Sequence, residues 1–199
     1  MPELSPALQS SLPLQMHRKI SQDPGRFAEL ATYLSIAPAA AVSDRLTLTQ
    51  AGFAKMPRHL QLVLGSDFML FEKGPYHNRP LNLAYIYRVL RVPCSEYLQL
   101  QEEAKLELLK ACYQIGRADP DNYRKFRGGI VSLSSLGLRP LLRLNVAHLL
   151  ESYGLTTLED LVARRPTTAE LRSIPGLGPK GFEEICRTLA YFGEEQPTD

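Results

Sequence analysis

A glycine-rich turn limits what the C-terminal part of this chain can fold into. Residues 174–181 read IPGLGPKG and run directly into the helical sequence FEEI. Glycines 176 and 178 let the backbone bend tightly and bring its N–H groups close to another molecule. Because a helix follows, those N–H groups lie at its positive end, and Lys180 adds a full positive charge. The sequence therefore predicts that Gly176, Gly178 and Lys180 hold a nucleic-acid phosphate without reading a base.

Helical signals surround this turn. Apolar residues predict a helix that begins near Pro140 and ends at Gly154, and TTLE at 156–159 and TTAE at 167–170 are typical of capping boxes. The last helix is expected to bury five apolar residues spaced three or four apart: Phe182, Ile185, Cys186, Leu189 and Phe192. Residues 127–199 are thus predicted to form a close-packed all-α domain, with the glycine turn between its last two helices.

Part of this domain resembles a known family. The run LTTLEDLV at 155–162, followed by ELRSIPGLGPKG at 170–181 and then by Glu184 and Ile185, is similar to the C-terminal domain of the bacterial RNA polymerase alpha subunit. The resemblance covers about residues 131–193 and implies a helix-hairpin-helix fold. It also implies binding in the minor groove of upstream promoter DNA and docking with transcription activators. Nothing before residue 127 resembles the body of the alpha subunit, so the module is expected to be attached to a different protein.

The resemblance also assigns roles to single residues. Gly178 and Lys180 match the glycine and lysine with which the family contacts backbone phosphate. Asn145 stands where the family has an arginine that enters the minor groove, and His148 stands where it has a DNA-contacting asparagine. An uncharged Asn145 is expected to hydrogen-bond a base edge with lower affinity than that arginine. Arg143 would point to the opposite side of the helix, at about 100° per residue.

The charge balance limits the expected strength of DNA binding. The whole chain has a formal net charge of +2, but from Arg127 onward nine acidic residues outnumber eight basic ones. Glu183 and Glu184 follow the glycine turn and are expected to repel phosphate. A net-acidic domain argues against tight non-specific binding, so moderate to weak affinity for DNA is expected.

The N-terminal part is expected to be mostly helical. Residues 1–24 are rich in Ser, Pro and Gln and predict a loose arm, and residues 25–126 predict a domain of unknown family. A short helix is expected over Arg26–Leu34. The alternating sequence LTL at 46–48 predicts a short strand, with Thr49 capping the next helix, and this dozen residues resembles a fragment of winged-helix domains.

Residues 71–91 hold the densest mixture of basic and aromatic side chains. A second nucleic-acid surface there would use Lys73, Tyr76, Arg79, Arg88 and Arg91. Aromatic rings can stack on bases while the cations neutralise phosphates. The alternative, which we favour, is that the tyrosines help to fill a small core and the arginines are solvated.

The longest apolar stripe runs over residues 97–115 and predicts one long helix. Such a wide stripe is either a core face or a dimer surface. The loop at residues 119–129 after this helix is expected to be the boundary between the two domains.

The remaining signals narrow the class of protein. Three widely spaced cysteines indicate reduced thiols rather than a zinc site or a disulfide framework. The sequence has no membrane-length apolar run and no signal-peptide pattern, so a cytoplasmic protein is expected. No constellation of catalytic or metal-binding residues is recognisable, and we expect no enzyme, metal or cofactor. We therefore predict a mainly α, transcription-associated DNA-binding protein. The alternative is a docking module that binds or mimics part of RNA polymerase or its activators.

Overall fold

The helices and strands come from a computed structural model that describes residues 23–68, 70, 92–119, 123–126 and 129–198. This part of the chain is mainly helical, as the sequence predicts, with eight helices and one antiparallel pair of short strands. In chain order the elements are α1 (Pro24–Tyr33), α2 (Val42–Lys55), α3 (Arg58–Asp67), α4 (Cys94–Ala118), β1 (Tyr123–Phe126), β2 (Gly129–Ser132), α5 (Leu144–Ser152), α6 (Leu158–Arg164), α7 (Thr168–Arg172) and α8 (Pro179–Phe192). The predicted arm lies outside the described residues except for its last two positions.

Helix α1 confirms the predicted short N-terminal helix. The side chain of Asp23 accepts a hydrogen bond from the Gly25 N–H at 2.9 Å, which caps the helix start. Phe27, Leu30 and Leu34 are all buried, as their spacing predicts. The helix therefore begins and packs as local sequence dictates.

The strand predicted at residues 46–48 is wrong, because these residues lie inside helix α2. Thr49, the predicted cap, lies in mid-helix, where its hydroxyl donates to the Arg45 carbonyl at 2.7 Å. Alternating Leu and Thr favours a strand locally, but α2 buries Leu48 and Phe53 against other helices, and packing overrides that preference. The resemblance to a winged-helix fragment depended on this strand and is lost with it.

The buried side chain of Gln61 fixes the turn between α2 and α3. Its amide nitrogen donates to the carbonyls of Phe53 and Met56 at 2.9 and 3.0 Å. In return, Arg58 donates to its amide oxygen at 2.7 Å. The C-terminal carbonyls of α2, which lack partners within the helix, are satisfied in this way.

Helix α4 confirms the predicted long helix and ends at Ala118, just before the predicted stop. Its apolar stripe is buried inside this chain, which is the core alternative, at Tyr97, Leu100, Ala104, Leu108, Ala111 and Cys112. The Cys112 thiol donates to the Leu48 carbonyl of α2 at 3.7 Å. Dimerisation through residues 97–115 stays a prediction. Across the described residues, no helix combines the length and the apolar character needed to cross a membrane.

The N-terminal and C-terminal parts are joined by backbone hydrogen bonds. Strands β1 and β2 pair antiparallel at the predicted domain boundary, and the chain then runs back past the end of α1. There the Ala37 N–H donates to the Ser135 carbonyl at 2.7 Å, and the Gly137 N–H donates to the Ser35 carbonyl at 2.9 Å. Buried residues of both parts belong to one hydrophobic cluster. The division into two domains near residue 127 stays a prediction.

The other side of α4 holds the C-terminal helices. Tyr113 of α4 meets Phe192 of α8 edge-on, with ring centroids 5.4 Å apart. The Tyr113 hydroxyl donates to the Glu194 carboxylate at 2.8 Å, and Arg117 forms an ion pair with the same carboxylate. We call Tyr113, Arg117 and Glu194 the C-terminal clasp.

Two predicted helix starts in the C-terminal part are shifted. Helix α5 begins at Leu144 rather than near Pro140, because the Leu141 and Leu142 N–H groups donate to the Leu138 carbonyl and form a separate turn. The capping box of α6 uses Thr157 and Asp160, one residue later than predicted. The box of α7, at Thr167 and Glu170, is confirmed.

Replacing Gly116 with alanine is expected to destabilise the fold. A β-carbon there would lie 2.7 Å from the Ser134 nitrogen and 2.8 Å from the Leu133 carbonyl carbon, both of them backbone atoms. The gain in helix propensity, about 1 kcal/mol, is outweighed by this overlap, and we expect a net loss of about 1–3 kcal/mol. Urea unfolding measures the loss.

The matched control for Gly116→Ala is Gln114→Ala, at an exposed position of the same helix. It is expected to change the free energy of unfolding by less than about 0.5 kcal/mol. If Gly116→Ala is as stable as the control, the close contact between α4 and the Leu133–Ser134 backbone is wrong.

Candidate nucleic-acid interface

The glycine turn, defined as residues 174–178, forms the tight bend that its sequence predicts. The Leu177 N–H donates to the Ile174 carbonyl at 3.0 Å, and the Gly178 N–H donates to the Gly176 carbonyl at 3.1 Å. Gly176 has a φ of +87°, a left-handed conformation that favours glycine. The Leu177 side chain is buried and anchors the turn to the core.

Helix α8 begins directly after the glycine turn, and one backbone N–H in its first turn makes no hydrogen bond within the described residues. Gly178 is its N-cap, and the Gly181 and Phe182 N–H groups both donate to the Gly178 carbonyl, at 2.9 and 3.1 Å. Pro179 has no N–H, and the Lys180 N–H makes no hydrogen bond within the described residues. The Lys180 side chain is exposed, and a β-carbon at Gly178 would meet no described residue within 4 Å apart from its neighbours in the chain. The N-terminal end of α8 is thus exposed, and Lys180 gives it a positive charge.

Helix α5 packs directly against the glycine turn. A β-carbon at Gly176 would lie 3.5 Å from both δ-carbons of Leu149, and one at Gly181 would lie 3.4 Å from Val146. Asn145 and His148 are exposed and stand three residues apart on α5. Asn145 is about 40° around the helix from Leu149, so its face adjoins the turn. The five predicted residues therefore lie close together: Asn145 and His148 are on α5, and Gly176, Gly178 and Lys180 are in the glycine turn and the start of α8.

Arg143 belongs to this surface, contrary to the sequence prediction. It is the N-cap of α5, with φ −55° and ψ 143°, so it lies outside the helix and the rotation per residue does not apply to it. Its backbone N–H donates to Glu184 Oε1 at 2.6 Å, and its Nε donates to Glu184 Oε2 at 2.5 Å. Within the described part of the chain, its two terminal nitrogens make no hydrogen bond.

The two glutamates that follow the turn are both paired. Glu184 is held by Arg143, and Glu183 forms an ion pair with Arg187 at 2.9 Å. Pairing offsets the repulsion of phosphate that the sequence predicts for these carboxylates. The pair of Glu184 and Arg143 spans 41 residues, and no local signal in the sequence indicates it.

The positive end of α5 lies against the second turn of α8. Arg143 at the start of α5 donates to Glu184 there, so the carboxylate of Glu184 occupies the positive end of α5. The dipole of α8 favours an anion at its own N-terminus. Arg139 is less available, since it binds both carboxylate oxygens of Glu151 at 2.8 and 2.9 Å. These hydrogen bonds from Arg139 hold the pKa of Glu151 below its usual range. Arg143, Lys180 and Arg172, whose guanidinium lies 5.1 Å from the Phe182 ring centre, are exposed cations near the start of α8.

The comparisons with known proteins do not identify the chain. No family model, curated protein or solved structure matches it. The resemblance to the alpha C-terminal domain therefore stays a prediction. The second predicted surface, Lys73, Tyr76, Arg79, Arg88 and Arg91, lies outside the described residues.

Replacing Glu184 with alanine is expected to loosen α5 from α8. Glu184 accepts from both the backbone and the side chain of Arg143, whereas Arg143→Ala keeps the backbone hydrogen bond. We expect Glu184→Ala to lower the free energy of unfolding by about 1–2 kcal/mol and Arg143→Ala to lower it by less. Chemical unfolding measures both variants.

Glu183→Ala, which breaks an exposed pair on the same helix, is the control. Its expected effect is below about 0.5 kcal/mol. Equal losses for Glu183→Ala and Glu184→Ala would mean that the carboxylate of Glu184 does not cap α5.

Proposed function

We propose that this protein is a non-enzymatic, transcription-associated protein that binds the phosphate backbone of DNA through the glycine turn. The observation that carries the proposal is the exposed N-terminus of α8 with Lys180, beside Arg143 of the α5 N-cap, which is joined to α8 through Glu184. Donors and cations at helix N-termini are a common way to hold phosphate. The association with transcription rests on the resemblance of residues 131–193 alone.

Each residue of the surface has a distinct role in this proposal. The Lys180 side chain and N–H hold one phosphate, which approaches closely because Gly178 presents no side chain. The terminal nitrogens of Arg143 hold a neighbouring phosphate on the α5 side. Asn145 and His148 face a groove of the bound DNA duplex, where their side chains donate to base edges or sugars.

The proposed affinity is moderate to weak. Arg143 shares its charge with Glu184, and Lys180 pairs with no carboxylate among the described residues, so the dependence of binding on salt is expected to be shallow. Orientation on the duplex then comes from the placement of the helix ends. Base preference at Asn145 and His148 is secondary.

Exposed apolar groups on α5 favour a second candidate function. Leu144 at the start of α5 is 61% exposed and Tyr153 just after its end is 48% exposed. Such groups are typical of a docking surface, in line with binding to RNA polymerase or one of its activators. Co-purification with RNA polymerase, in a protein that fails to bind DNA, would support this function instead.

Lys180→Ala is expected to weaken DNA binding about threefold or more and to reduce the salt slope by about one unit. The slope is the change in the logarithm of affinity with the logarithm of salt concentration, measured by fluorescence anisotropy with a labelled duplex. Removing one cation that contacts phosphate removes the release of about one counterion.

The matched control for Lys180→Ala is Lys55→Ala, at an exposed lysine at the end of α2. It removes the same charge and is expected to leave both affinity and slope unchanged. Equal effects of the two substitutions would show that binding follows net charge and not the glycine turn. Absence of binding to any duplex at low salt would overturn the proposal.

Gly178→Ala is expected to weaken DNA binding about tenfold while costing less than about 1 kcal/mol of stability. The free protein has space for the methyl group, since among the described residues only its neighbours along the chain lie within 4 Å of it. The methyl group instead occupies the position through which phosphate approaches the Lys180 N–H. Anisotropy and chemical unfolding are measured on the same preparation. Unchanged DNA affinity would mean that no phosphate comes against this backbone.

A further inference from the structure

A groove of about 600 Å³ lies between the N-terminal helices and the segment before α5. Its walls come from the end of α1, from α4 around Lys105 and from residues 139–143. Arg143 and Glu184 also line it, so the groove is continuous with the surface proposed to bind DNA. A nucleic acid held at the glycine turn can therefore continue into it.

The groove combines an apolar floor with an exposed aromatic ring. Leu34 and Leu142 line it and are almost fully buried, at 1% and 6% exposure. Tyr33 stands at its edge and is 57% exposed. Phe68 packs on Tyr33 with ring centroids 5.5 Å apart, and the Lys105 ammonium lies 5.5 Å from the Tyr33 ring centre. The ring is thus held in place while much of its surface stays open to solvent.

The cations of the groove are largely balanced by carboxylates. Lys105 pairs with Glu102 at 2.7 Å. Arg139 pairs with Glu151, and Arg143 pairs with Glu184. A groove with so little excess charge does not attract a row of phosphates by itself. Its distinguishing group is an exposed aromatic ring beside buried apolar side chains, and an aromatic ring suits the flat face of a base.

A base inside a duplex cannot present its face in this way, because its neighbours are stacked on it. Single-stranded segments offer unstacked bases that aromatic side chains bind without regard to sequence. The volume lies within the range of ordinary ligand sites and accommodates a base with its sugar.

We propose that this groove binds unpaired bases of a single DNA strand that continues from the duplex held at the glycine turn. The inference rests on the proposed function and names its substrate class, a duplex that carries a single-stranded tail. Tyr33 stacks on a base of the tail, and Lys105 contacts the adjoining phosphate.

The test compares a blunt duplex with the same duplex carrying a 5′ or a 3′ single-stranded tail. Fluorescence anisotropy measures the affinity of the wild-type protein, Tyr33→Ala and Tyr33→Phe for each DNA. A tail of one polarity is expected to raise wild-type affinity about fivefold or more. Tyr33→Ala should lose this advantage and keep its affinity for the blunt duplex, whereas Tyr33→Phe should retain both.

The matched control is Tyr153→Ala, which removes an exposed tyrosine that does not line the groove. It is expected to keep the full preference for the tailed DNA. Chemical unfolding of every variant checks that the fold is intact.

The outcomes separate this inference from the function on which it rests. If the wild-type protein binds blunt and tailed DNA equally, or if Tyr33→Ala keeps the preference, the groove inference is overturned and backbone binding at the glycine turn stands. If the protein binds neither DNA, both proposals are overturned.

Discussion

The burial of α4 on two sides is the constraint on which the rest of the structure depends. One side packs against α2, where Cys112 reaches the Leu48 carbonyl. The other side contacts α8, where Tyr113 packs edge-on against Phe192 and Glu107 accepts a hydrogen bond from the Tyr191 hydroxyl. A helix that packs against other helices on two sides needs apolar residues on both sides. This explains why the apolar stripe of α4 is so wide. The contacts between α4 and α8 lie at the C-terminal end of α8, and the glycine turn at the opposite end of that helix has Gly176 and Gly178 exposed.

The features that could be predicted from sequence are those that depend on neighbouring residues. The capping box at Thr167, the bend at Gly176 and the burial of Phe27 all follow from patterns within a few positions. The strand predicted at residues 46–48 is wrong because a three-residue alternation is weaker than the burial of a whole helix face. Local chemistry thus determined the caps and turns, and packing determined the ambiguous segment.

The candidate nucleic-acid interface could be predicted only in part, because only part of it depends on neighbouring residues. Lys180 and the glycines form a continuous stretch, so their placement at the start of α8 follows from the sequence. Arg143 was assigned to the wrong side because it lies outside α5, at the N-cap, where its N–H donates to Glu184, which is 41 residues further along the chain. A contact between residues so far apart along the chain changes both the geometry and the charge of the surface, and no single-sequence pattern encodes it.

The C-terminal clasp limits how far the C-terminal part can move relative to α4. Glu194 follows α8 immediately and is held by Tyr113 and Arg117 of α4, so the end of the C-terminal part is fastened to the helix that supports the N-terminal part. Two modules on a flexible linker meet their targets at an effective concentration set by the linker. Modules fastened in this way keep one fixed separation. The clasp therefore holds the end of α8 at one position against α4.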